Sequence, residues 1–158
     1  MSMMASLQRW INEVSDSGSV AAEPDLRLAT AVLLCEVVRA DYQVEEVELQ
    51  LMREQLSKQF QLDGEQLDEL MNLAREEAES AVDHHRFVRE LRDHWGYEQR
   101  VGLVQQMWAL SWSDGAKDAL EEHRIRALAD LLHVSHSDFV RTRMVEQNRA
   151  AAEGKERN

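Results

Sequence analysis

The chain has 158 residues, enough for one domain that buries roughly 68–70% of its unfolded surface without staples. Thirty acidic residues against 18 basic ones leave a formal net charge of −12, which excludes the basic surface that non-specific nucleic-acid or anionic-membrane binding requires. A single cysteine excludes an internal disulfide framework, and no run of 18 apolar residues marks a transmembrane helix. The N-terminal MSMMASLQRW has no apolar stretch behind a basic region, so the expectation is a cytoplasmic, soluble protein without a secretory signal.

Leu7, Trp10, Ile11 and Val14 stand at i, i+3, i+4 and i+7 and predict a short amphipathic helix, ended by the Ser15–Ser19 linker. Pro24 suits the first turn of the next helix. From Asp25 to Ala40 the chain is apolar nearly all round, interrupted only by Arg27, Glu36 and Arg39, as for a helix at the centre of a bundle. Cys35 lies within this run and reads as a buried, inert thiol. A helix over Glu46–Gln59 follows, with Leu49, Met52, Leu56 and Phe60 apolar. Another runs from Asp63, its N-cap paired with Gln66, to about Val82, with acids along its outer face. From Glu45 to Asp83 twelve acids meet only Arg53, Lys58 and Arg75, so Glu76, Glu77 and Glu79 are short of local bases.

Asp83 is placed to cap a short helix through His94, with Gly96 as its C-terminal stop. Tyr97–Ser113 is a second strongly apolar helix, in which Trp108 and Trp112 read as core. The helix after Asp114-Gly115 shows Leu120, Ile125, Leu128, Leu131 and Leu132 as its stripe. Ser135 and Asp138 pair at the start of a last helix ending near Arg149. No alternating β-branched run predicts a strand. The expected fold is therefore an all-α, single-domain bundle of about seven to eight helices. Residues 1–20 form an N-terminal helix and linker, 24–150 the helical domain, and 151–158 a flexible tail.

Asp114 follows Asp41 by 73 residues and Glu121 follows Glu48 by the same interval, each pair coming after an apolar helix. The chain thus reads as two pseudo-symmetric helix–acidic loop–helix repeats, with their apolar helices side by side at the centre. Ala40-Asp41 with Glu48, and Ser113-Asp114-Gly115 with Glu121, resemble the TerB family of tellurite-resistance proteins and the related N-terminal domain of a membrane-anchored J-domain co-chaperone. The resemblance covers about Leu28 to Val140. It implies an all-helical bundle, a stress-related role without enzymatic activity, and divalent-cation binding through acidic residues. Two positions depart from the pattern: Tyr42 replaces the glycine after the first aspartate, and Lys117 replaces the apolar residue of the second loop.

The candidate ligands are Asp41, Glu48, Asp114 and Glu121, and a hard ion such as calcium suits their carboxylates. The competing reading is purely local. Asp118-Ala-Leu-Glu121 is a capping box, and acids in a first turn are favoured by the helix dipole. His84-His85 and His133-x-x-His136 lack the cysteines or the H-E-x-x-H spacing of a zinc site and read as surface or capping residues. No nucleophile elbow, P-loop or dinucleotide fingerprint occurs, so no enzyme is expected. Two function classes stay open: a cation-binding stress-response domain, and a protein-interaction module whose acidic helices meet a basic partner, with a homodimer also open.

Overall fold

The computed structural model describes residues 25–40, 45–80, 85–113 and 119–157. Its helices are α1 Leu26–Val38, α2 Glu46–Phe60, α3 Gly64–Ser80, α4 His85–His94, α5 Tyr97–Ser111, α6 Ala119–Leu131 and α7 His136–Arg157. No strand occurs among the described residues, so the fold is an all-α bundle. The Leu7–Val14 helix, Pro24 and the Asp83 cap fall outside them.

The apolarity of α1 dictates the arrangement. Ten of its 13 residues are buried, which leaves almost no face for water and demands neighbours on all sides. It packs against α2, α3, α4, α5 and α6. Asp25, just before the helix, accepts hydrogen bonds from the amides of Arg27 (3.0 Å) and Leu28 (3.2 Å), so it is the cap rather than the first helical residue. The few charges of α1 are relieved by tertiary partners, with Glu36 Oε2 3.8 Å from Arg124 and Arg39 3.7 Å from Glu79. Burial pushes the Cys35 thiol up to about 12, which keeps it protonated and inert.

The second apolar helix, α5, packs against α1, α2, α6 and α7. Trp108 is fully enclosed and meets Phe139 of α7 at 5.2 Å between ring centroids, whereas Trp112 is half-buried at the helix end. Two arginines fasten the end of α6. Arg100 donates to the carbonyl of Leu132 (2.6 Å) and Arg92 to that of Leu131 (3.3 Å), satisfying acceptors that a helix C-terminus leaves open. After α2 and α6 the chain turns through Gln61 (φ 56°) and His133 (φ 59°), left-handed positions that cost a non-glycine residue about 1–2 kcal/mol. The following Leu62 and Val134 are buried, so apolar contact offsets that cost.

Two of the predicted caps form. Asp63 and Gln66 exchange side-chain–backbone bonds of 2.8 and 3.1 Å. The Asp138 amide donates to Ser135 Oγ at 3.2 Å. Tyr97, from α5, extends the second cap by donating to Asp138 Oδ2 at 2.6 Å. Three expectations are corrected. Gly96 does not stop α4 in a left-handed turn; it is the N-cap of α5 at φ −71°, with Gln99 accepting from its amide at 3.0 Å. Leu120 is 54% exposed rather than part of the α6 stripe. The last helix runs past Arg149 to Arg157, because Ala150, Ala151, Ala152 and Glu153 are strong helix formers.

Replacing Leu34 or Leu110, both fully buried, by Ala is expected to cost about 2–5 kcal/mol in urea melts. A loss below about half a kcal/mol would place those side chains on the wrong face. The Tyr97 hydroxyl first, and Arg141 with it, hold the Asp138 carboxyl below the usual carboxylate range. The stabilisation is therefore present above the unfolded-state value of about 3.9 and is lost as pH falls through the lower folded value. Asp138→Asn should accordingly be less stable than wild type near neutral pH, with the difference closing in acid. A pH-independent difference would show that the carboxylate charge is irrelevant to this junction.

Candidate cation-binding motifs

Glu48 and Glu121 are each the third residue of their helix, α2 and α6. The buried stripe of α2 consists of Glu48, Met52 and Leu56, at i, i+4 and i+8. That of α6 is Glu121, Ile125, Leu128 and Ala129. In both helices the first inward position is thus an acid. The aliphatic residue just before it points outward: Val47 is 52% exposed and Glu48 1%, while Leu120 is 54% exposed and Glu121 2%. The four-residue step back from Met52 and from Ile125 lands on these glutamates, so each acid occupies a core position that an apolar residue would ordinarily fill.

Burying a carboxylate costs several kcal/mol unless it is paired or hydrogen-bonded. Part of the compensation is local, since the free amides and positive dipole end of a helix favour an anion in its first turn. Neither glutamate is without a partner. Asp41 and Asp114, the other two candidate ligands, lie outside the described residues, as do Tyr42, Lys117 and the capping residue Asp118. Among the described residues, no group of three or more His, Cys, Asp or Glu side chains is gathered into a metal-holding cluster. The donors present are carboxylate oxygens, which suit a hard ion; two glutamates supply fewer oxygens than the six to eight of calcium.

The histidines are dispersed. His85, His133 and His136 are exposed, and His133 Nε2 lies 3.3 Å from an Arg92 nitrogen; His84 lies outside the described residues. The acidic stretch from α2 to α3 is less bare than its local sequence suggests. Arg53 meets Asp68 at 2.7 Å, Arg86 meets Glu77 at 3.6 Å, and Arg39 meets Glu79 at 3.7 Å. Two of these three bases come from other helices, which local counting misses.

One buried acid escaped the motif search. Glu146 on α7 is 4% exposed, accepts from Gln105 Nε2 at 3.0 Å and lies 3.1 Å from Arg149. Its signal was its place on the stripe of Phe139 and Thr142, at i, i+3 and i+7. No helix among the described residues is long and apolar enough to cross a membrane.

No curated protein and no solved structure matches the chain. The family model described as Tellurite resistance protein TerB matches residues 27–144, which span α1 through most of the first half of α7 and both acidic motifs. The chain therefore belongs to the TerB family of tellurite-resistance proteins.

Proposed function

We propose that this chain is a non-enzymatic TerB domain of the stress-response type whose two acidic motifs are copies of one unit that binds a divalent cation. The observation that carries the reading is a buried glutamate at the first inward position of both α2 and α6, at corresponding places in the two helices. A cap needs a first-turn acid at the surface as readily as inside. Two acids held at core positions that apolar residues would ordinarily fill argue for a task beyond capping. Glu48 and Glu121 would hold the ion with Asp41 and Asp114, loop carbonyls or water completing its oxygen shell. The cation would supply the positive charge that lets neighbouring carboxylates stay ionised together.

A protein-interaction module whose acidic α2 and α3 meet a basic partner is the alternative. Its charge is thinned where Asp68, Glu77 and Glu79 pair with arginines, so it is the weaker reading.

The capping and cation readings separate on one substitution. Glutamine serves at the third position of a capping box as glutamate does, but carries no charge for an ion. Millimolar Ca²⁺ should raise the melting temperature of the wild type in proportion to the logarithm of ion concentration above Kd, and less so as pH falls. Glu48→Gln with Glu121→Gln should abolish the shift while leaving stability in chelator near wild type. Equal shifts in both proteins would place binding elsewhere, and no shift in either would leave the motifs as helix caps.

A further inference from the structure

A groove of about 560 Å³ lies between α2 and the second half of α7, closed at its base by the end of α5. Half-buried Leu51, Ala109 and Trp112 form its apolar floor, and exposed Val47 extends that floor toward the rim. The rim is acidic. Glu46, Glu54 and Glu153 are exposed, and none takes part in an ion pair among the described residues. Among the described residues that line the groove the basic one is Arg149, which already lies against the buried Glu146 at 3.1 Å. The groove is therefore greasy below and negative above, with no unpaired positive charge among the described residues.

We propose that this groove docks a short cationic amphipathic helix of a partner protein, with aliphatic side chains on the Leu51–Trp112 floor and lysine or arginine against Glu46, Glu54 and Glu153. Three features select that occupant. Charge complementarity demands a basic segment, since an acidic or neutral one would leave the three carboxylates without counter-charges. The floor and the flanking helices α2 and α7 leave the kind of space that a helix fills by laying down its apolar face. The α2 wall from Glu46 to Glu54 is about 12 Å long, two helical turns, enough for anchors at i, i+3, i+4 and i+7. A second copy of the chain is disfavoured by the mutual repulsion of two molecules carrying −12 each.

The test uses the full chain and a fluorescein-labelled synthetic helix with leucine at i, i+3, i+4 and i+7 and lysine or arginine elsewhere, read by anisotropy. Saturable binding is expected, weakening as salt rises. Val47→Ser with Glu54→Lys should raise Kd by about tenfold or more, since it removes an anchor and reverses a rim charge. Both positions are exposed, and unchanged thermal melts would show that the variant is folded. Glu65→Lys, an exposed acid of α3 outside the groove, should leave Kd within about twofold of wild type. A glutamate-bearing version of the peptide should not bind. The proposal is overturned by the absence of saturable binding, or by an equal loss in Glu65→Lys, which would make the attraction diffuse. Sedimentation showing a dimer that Val47→Ser with Glu54→Lys dissociates would assign the groove to a second copy instead.

Discussion

A helix with no solvent face cannot sit at the edge of a protein, and the rest of this bundle answers to that constraint. Fully burying one leucine or valine is worth about 1.5–3 kcal/mol, and α1 carries several such side chains at zero exposure. Five helices close around it, and all but α5 therefore need only one apolar stripe. Their outer faces are free to carry charge, which is how a core this apolar coexists with a net charge of −12. The second apolar helix, α5, extends the same core toward α7 through Trp108 and Phe139.

Against this consistent pattern, the buried acids stand out as local conflicts, and conflicts that persist in an otherwise coherent sequence are where function is to be sought. The three differ in kind. Glu146 is answered within the bundle by Gln105 and Arg149, so it reads as a structural crosslink between α5 and α7. Glu48 and Glu121 stand at helix beginnings, directly after the acidic loops, and occupy the inward positions that apolar neighbours vacate. Their symmetry of placement distinguishes them from a single accident of packing.

Negative charge is also distributed by tertiary contact rather than by composition. The acid-rich middle of the chain draws Arg39 from α1 and Arg86 from α4 onto Glu79 and Glu77, so the outer face of α3 is partly neutralised. Among the described residues, the rim of the α2–α7 groove receives no such help, although its acids come from two helices far apart in sequence. Field strength at a surface depends on which bases reach it.

Much was legible from residues alone because it depends on local rules. The all-round apolarity of residues 26–38 required a central helix, the Asp63–Gln66 pair and the Ser135–Asp138 pair announced helix starts, and the spacing of Asp41, Glu48, Asp114 and Glu121 pointed to the family. The rotation of a helix about its own axis is not local. Leu120 and Glu121 are neighbours, and hydrophobicity alone favours the leucine as the inward residue, whereas α6 is seated with Glu121, Ile125, Leu128 and Ala129 inside. Gly96 looked like a stop because glycine tolerates the left-handed turn, but here its amide meets Gln99 and it begins a helix instead. The groove is invisible in sequence for a similar reason: Val47, Trp112 and Glu153 lie on three helices, and only their packing brings them around one space. Local chemistry decided which segments are helices and where most begin; the tertiary structure decided which face each helix turns inward, because burial is a property of neighbours rather than of the residue itself.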